Sequence, residues 1–396
     1  MATADSISEL SAPTAASGPG LLVLLAAMPR EQLEGVLASL TSSYPAEGLI
    51  VATPDVVPPD SSPNLRTVQI PTTPASWTLT AADFVNAYQL AGENNARAVL
   101  MLGAGAASLH PSALRDLANS VIDATADLAI PCYDLPSRAG LANSAILYPL
   151  TRALFASGAR FPLAIDLSLS LRMAERLAIA GQRSTTTSQD ATPLWPTNEG
   201  AVAGFVVREL EVGPRAFPQP AEHDINAILA SVVGSLFADI DARAAFWQRP
   251  RQSPPVRYPV SQAASPESSP DIGPMLDAFH LAYANLQEVW SLVLPPNSLL
   301  GLKRLSAASA ASFRMPDALW ARIVFDFLLA WRLRTINRGH LLGALIPLYL
   351  AWVASHFNIV ASGTGPERHI EAVAATFEAE KPYLVSRWRW PDRFNP

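Results

Sequence analysis

The sequence predicts an α/β protein: a mainly parallel sheet flanked by helices and continued by a helical C-terminal extension. Three observations predict it. Short apolar runs of strand length alternate with longer helix-patterned segments in the first half of the chain. Residues 248–274 are dense in Pro and Ser, which breaks any regular element because Pro fixes φ and removes a backbone donor. Beyond that break the extended segments are mostly helical in spacing.

In chain order, residues 1–19 have no basic start followed by an apolar core, so a disordered lead is expected rather than a secretion signal. LLVLLAA (21–27) reads as a buried strand, Met28-Pro29-Arg30 as a turn and EQLEGVLASL as a helix. LIVATPD (49–55) gives a second strand, ADFVNAYQLAGENN a helix and ARAVLMLG (97–103) a further strand. Ligands of parallel sheets approach the carboxyl ends of the strands, so the loops near Met28, Asp55 and Gly103 are the first candidates for a site. Glu31 and Asp55 offer carboxylates there. Gly103-Ala104-Gly105 offers backbone N–H groups and conformational freedom, yet forms neither a P-loop nor a complete GxGxxG, and a tight structural turn is the other reading.

Pro111 opens a helix over 111–126, ADLAIPCY (126–133) reads as a strand and 143–157 as a helix. FPLAIDLSLSLRMAERLA is expected to pass from a turn into a helix, with Asp166 near the entrance and Ser168 or Ser170 as cap. Residues 181–200 read as a polar loop that could cover a cleft. Helices follow around 275–293, 317–334, 340–357 and 367–380. The run HLLGALIPLYLAWV falls short of the roughly 18 uninterrupted apolar residues of a membrane span and contains Pro347, so it predicts a buried helix and no transmembrane segment. The expected organisation is a lead (1–19), a sheet domain (20–247), a linker (248–274) and a helical region (275–396) packed on the sheet domain.

Composition excludes several functions. With 28 Lys plus Arg against 34 Asp plus Glu, a net charge of −6 leaves no general cationic surface for nucleic acid. The basic residues are almost all Arg, since Lys303 and Lys381 are the only lysines. A single Cys132 forms no intrachain disulfide, and without a CxxC or a spaced Cys/His set a closed zinc site is not expected. The thiol reads as a small buried group, and the expected location is cytoplasmic.

YPLTRALFASGARFPLAIDLSLS (148–170) resembles the GT-A-fold glycosyltransferases related to glucosyl-3-phosphoglycerate and mannosylglycerate synthases. The resemblance runs from about Leu21 to the C-terminus and takes in LWPTNEGAVAGFVVRELEVGPR, PDALWARIVFDFLLAW, LIPLYL and EKPYLVSRW. It implies a GT-A-like mixed, mainly parallel sheet and transfer of a sugar from a nucleotide sugar to a small hydroxylated acid such as glycerate or phosphoglycerate, with Mg²⁺ or Mn²⁺ as the family's cofactor. Here the metal positions are lost. Where the family pattern has DAD, then Pro six residues later, this chain has Gly103-Ala104-Gly105 and Pro111; where it has His in GxRxH, this chain has Phe217 in Gly213-Pro214-Arg215-Ala216-Phe217. Neither replacement can coordinate a cation, and His223 would compensate only after a loop shift. The family's RxPIGGDFGLS is partly kept in 160–170, with Ala164 and Ile165 in place of the glycines and Asp166 retained.

The resemblance implies a role for each polar residue it reaches. Asp166 and Asp190 would be catalytic, orienting sugar and acceptor; Glu31, Asp55, Gly103, Gly105 and Arg215 would hold the nucleotide sugar; Arg152, Arg160, Trp195 and Thr197 would hold the acceptor, and no residue is assigned to metal. Each has a structural reading beside it. Asp166 can cap a helix, Arg152, Arg160 and Arg215 can pair with carboxylates or be solvated, and Trp195 can anchor its loop to the core. The functional expectation is therefore a glycosyltransferase-like protein whose partners are a nucleotide sugar and a small polar acceptor. Its alternative is a catalytically degenerate scaffold that binds a nucleotide sugar or a protein, and self-association through the aromatic-rich helical half is a third reading. Trp320, Phe325, Phe327, Trp331, Tyr349 and Trp352 read as core, Asp326 as a carboxylate needing Arg322 or Arg332, and the Arg387–Trp390 cluster as a docking tail or a ligand site.

Overall fold

The computed structural model describes residues 20–57, 65–71, 78–185, 193–216, 225–250 and 270–391. Seven strands form one sheet: β1 (Leu21–Leu25), β2 (Leu49–Thr53), β3 (Arg66–Gln69), β4 (Ala98–Leu102), β5 (Leu128–Asp134), β6 (Leu167–Ser170) and β7 (Val207–Pro214). Their order is β3-β2-β1-β4-β6-β5-β7, with β6 antiparallel to both neighbours and every other pairing parallel. The alternation of strands and helices predicts the parallel part of this sheet, and its mixed, mainly parallel character is what the resemblance implies.

The sheet is covered on both faces. α1 (Arg30–Ser43) and α3 (Pro111–Ile122) pack on one face, α2 (Ala81–Glu93) and α5 (Leu171–Thr185) on the other. Strand alternation decides which residues go where: Leu21, Val23 and Leu25 join the core under α1 and α3, and Leu22 and Leu24 the core under α2 and α5. With apolar residues on both faces, β1, β2 and β4 are buried throughout and read as continuous apolar runs.

A third and larger core belongs to helices. Residues 143–147 form a π turn that runs into α4 (Tyr148–Phe155), and α6 (Pro196–Ala203), α7 (Ile225–Ala242) and α8 (Ala244–Trp247) follow. The C-terminal set is α9 (Gly273–Asn285), α10 (Gln287–Ser291), α11 (Pro296–Ser306), α12 (Asp317–Leu333), α13 (Arg338–Ala361) and α14 (Pro366–Arg389). Residues of α4, α7 and Trp195 share the core built by α9 to α14. The packing therefore crosses the Pro/Ser-rich stretch, of which 251–269 lie outside the described residues. Trp320, Phe325, Phe327, Trp331 and Trp352 are buried in that core. α13 is long and apolar enough to cross a membrane by length and composition, and most of its apolar window is buried in this fold.

Three local expectations change. Residues 167–170 are strand β6 rather than the start of a helix, so Ser168 donates to the Val99 carbonyl across the sheet. Ser170 does cap α5, accepting from the Met173 N–H at 3.3 Å. Of residues 181–200, expected to form a polar loop, 181–185 end helix α5 and 196–200 open helix α6, and those first five residues of α6 are buried. Asp326 pairs with Arg387 at 3.3 Å and accepts from Tyr383 Oη at 2.9 Å, whereas Arg322 holds Glu380 and Arg332 donates to the Trp388 carbonyl. The terminal Arg/Trp cluster is thus a docked tail through Arg387 and Trp388, the latter edge-on to Trp247.

Candidate functional site

The carboxyl ends of β1, β2 and β4 open on one edge of the sheet. Because β6 runs antiparallel, the residue just before it, Asp166, arrives at the same edge; so does Arg215, just after β7. The sequence thus delivers Gly103, Gly105, Asp166 and Arg215 to one place from three separate segments.

Their geometry is that of a sealed ion pair. Arg215 Nε lies 2.8 Å from Asp166 Oδ2 and Nη2 lies 3.2 Å from Oδ1, with both side chains fully shielded from solvent. Arg215 also donates to the carbonyls of Ala104 at 2.9 Å and Ala216 at 2.7 Å. Asp166 Oδ1 accepts the Gly103 N–H at 3.0 Å, and Oδ2 accepts the Tyr133 hydroxyl at 2.9 Å. A bulge between Cys132 and Tyr133, where β5 shifts register against β7, accompanies this placement of Tyr133. Burial first, and then the Asp166 charge, push the Tyr133 phenol well above its ordinary pKa, so it remains a donor.

The two glycines explain how the pair fits. A Cβ on Gly103 would lie 2.8 Å from Ile165 Cδ1, and one on Gly105 2.6 Å from the Ala216 carbonyl oxygen and 2.7 Å from Arg215 Nη1. Gly105 has φ +80, a left-handed conformation that costs other L-residues about 1–2 kcal/mol. Side chains at 103 and 105 are therefore excluded by atoms already in place. These residues do not fit a divalent cation: neither glycine supplies an oxygen side chain, and a guanidinium stands beside the turn. Among the described residues no group of three or more His, Cys, Asp or Glu is arranged to hold a metal ion. Phe217 and His223 lie outside the described residues.

Beside the turn, Leu24, Ala26, Pro54, Leu79, Gly103 and Ile165 help line a cavity of about 20 Å³, room for roughly one water molecule. Asp55 Oδ2 accepts the Met28 N–H at 3.0 Å, which ties the loop after β2 to the loop after β1. Glu31 is exposed in the first turn of α1, where an acid complements the helix dipole.

The acceptor-side residues gather elsewhere. Arg152 pairs with Glu371 at 2.6 Å and Glu378 at 3.2 Å, and Arg160 with Glu367 at 3.1 Å, so both arginines fasten α14 to the segment around α4. The Arg160 backbone N–H also donates to Glu209 at 2.6 Å, and burial raises the Glu209 carboxyl to about 7. Trp195 is buried and donates to Ser235 at 3.3 Å; Thr197 is buried and donates to the Pro162 carbonyl at 3.3 Å. Trp195 thus sits where the loop-anchoring reading places it. Asp190 lies outside the described residues. Burial pushes the Cys132 thiol up to about 12, which keeps it protonated at neutral pH.

Sequence reasoning missed Tyr133 and the α14 carboxylates, and it named Ile165 only as added volume in place of a glycine, not as the side chain packed against Gly103. A signal existed for the carboxylates: Glu367, Glu371 and Glu378 recur at helical spacing and so lie on one stripe of α14. Nothing local marks Tyr133, whose partner lies 33 residues away in the chain, and the Gly103 contact of Ile165 spans 62 residues.

No protein-family model matches the chain, and no curated protein matches it. Among solved structures, it is similar to glucosyl-3-phosphoglycerate synthase from Mycobacterium tuberculosis in complex with Mn²⁺, uridine-diphosphate-glucose and phosphoglyceric acid, at 16% identity over 56% of this chain and 79% of that one, with a TM-score of 0.38. The same enzyme with Mn²⁺, uridine diphosphate and glucosyl-3-phosphoglycerate gives 16% identity, 56% and 80% coverage and a TM-score of 0.39. A structure described as a mycobacterial protein gives 14% identity, 56% and 74% coverage and a TM-score of 0.38.

Proposed function

We propose that this chain is a GT-A-like scaffold that has lost glycosyl transfer. The observation that carries the reading is the buried Asp166–Arg215 pair closed over the Gly103–Gly105 turn. Transfer from a nucleotide sugar requires a counter-charge for the departing diphosphate and a group to orient the acceptor. Arg215 and Asp166 are the residues of the right chemistry, and each neutralises the other. Their remaining donors and acceptors meet Gly103, Ala104, Tyr133 and Ala216. Arg152 and Arg160 are likewise engaged by α14 carboxylates, so the charge that would recognise an acidic acceptor holds the helical lobe instead.

The chemistry expected of the intact family pattern, sugar transfer to glycerate or phosphoglycerate, is what this reading denies. A mass-spectrometric product assay on the full chain tests it, with uridine-diphosphate-glucose and 3-phosphoglycerate, with and without Mn²⁺. The expected result is no glucosylated product in either condition. Repeated turnover would overturn the proposal, and metal-independent turnover would return Arg215 to the role of diphosphate clamp.

A further inference from the structure

The helical lobe contains a second concavity, distant in sequence from the sheet-edge cluster, on the surface between α11 and α12. It has a volume of about 430 Å³, within the range of small-molecule sites. Leu305, Pro316 and Leu319 contribute apolar lining, and Arg304, Arg314 and Arg322 line it with no Asp or Glu among the lining residues. Three cations without an acid are unusual on a chain whose net charge is −6.

Local structure accounts for only part of this charge. Arg322 is held by Glu380 through Nε and Nη2. Arg304 stands in the last turn of α11, where a cation complements the helix dipole. Arg314 has no such role, because it is exposed in the connection leading to α12. α11 and α12 approach closely at Gly301, where a Cβ would lie 2.8 Å from Leu319 Cδ2. Asp317, at the start of α12, is turned to His369 at 3.3 Å.

We propose that this groove binds a phosphate monoester, with Arg304 and Arg314 on the phosphate and the apolar lining against its organic group. A phosphate monoester near neutral pH carries close to two negative charges on three acceptor oxygens, which guanidinium groups match in pairs of parallel hydrogen bonds. The groove shares no residue with the Asp166–Arg215 cluster, so this proposal stands or falls independently of the loss of glycosyl transfer.

The test is calorimetric titration of the full chain with inorganic phosphate and with phenyl phosphate, alongside flotation with phosphatidylcholine vesicles containing or lacking phosphatidic acid. The variants are the double Arg304→Gln/Arg314→Gln and, as a control elsewhere on the surface, Arg334→Gln, with circular dichroism confirming the fold of each. Expected is saturable binding by the wild type, tighter for phenyl phosphate than for inorganic phosphate, retained in the control and weakened about tenfold or more in the double variant. Phosphatidic-acid-dependent flotation lost in the double variant would support the same chemistry with a lipid headgroup as its source. Absence of saturable binding to all probes, or equal binding by the double variant, overturns the proposal.

Discussion

Replacing Asp166 by Asn measures how completely the sheet-edge site is closed. The carboxylate accepts four hydrogen bonds, from Gly103 N, Tyr133 Oη, Arg215 Nε and Arg215 Nη2, at 2.8–3.2 Å. Asn keeps the shape but offers one acceptor oxygen, turns an amide donor toward groups that are themselves donors and leaves the Arg215 charge unpaired. Removing one partner of a buried pair costs about 3–5 kcal/mol. Arg215→Met should cost a similar amount for the mirror reason. The double variant Asp166→Asn/Arg215→Met should cost clearly less than the two singles added together, with a coupling of about 2 kcal/mol or more. Urea unfolding followed by far-ultraviolet circular dichroism gives the three values. If Asp166→Asn lies within about 1 kcal/mol of wild type and the effects add, the pair is hydrated and the closed-site reasoning fails.

Restoring an acidic residue at the turn should not restore a metal site. Gly105→Asp must adopt φ +80 and place its Cβ 2.6 Å from a backbone oxygen, which predicts a loss of about 2–4 kcal/mol from strain and overpacking; a Tm raised by Mn²⁺ in this variant would contradict that. Arg152→Met leaves Glu371 and Glu378 without their shared cation and should cost about 1–3 kcal/mol, read as earlier cleavage within α14 in limited proteolysis; an unchanged digestion pattern argues against α14 docking through this pair. His356 is depressed from 6.5 to about 3, by burial first and then by the charges of His369 and Arg160. The unfolded chain therefore binds the extra proton between those values, so this histidine's contribution to stability falls as pH drops from about 6.5 toward 3. Half-buried Glu209 and buried Asp326, both raised to about 7, act in the opposite sense on acidification. The His356 share is then the difference between wild type and His356→Gln in the fall of Tm from neutral pH to about pH 4, and equal falls would refute it.

Much of the sheet was legible because a strand covered on both faces must be apolar on both. LLVLL, LIVAT and AVLML announce β1, β2 and β4 by themselves. β3 carries the mostly exposed RTVQ at the sheet edge, and β6 is only LSLS, so neither has a run that stands out. Missing β6 mattered for function: as a helix entrance, Asp166 would face solvent, whereas as the residue before an antiparallel strand it is delivered into the sheet edge opposite Gly103.

By itself the sequence determined which chemistry is absent from the turn, since Gly103 and Gly105 have no side chain to coordinate anything, and the resemblance it carries put Asp166 and Arg215 among several candidate site charges. It also determined that the C-terminal half is a helical core, because its apolar residues recur at helical spacing. Only the tertiary structure decided whether those charges face a ligand or each other. The pairing of residues 166 and 215 depends on strand order and on the direction of β6, which put 49 residues of chain between two atoms 2.8 Å apart. The same holds for Arg152 and Arg160: their chemistry suits an acidic acceptor, but folding brings the α14 carboxylates to them, and a buried cation takes the nearest partner that offsets its desolvation.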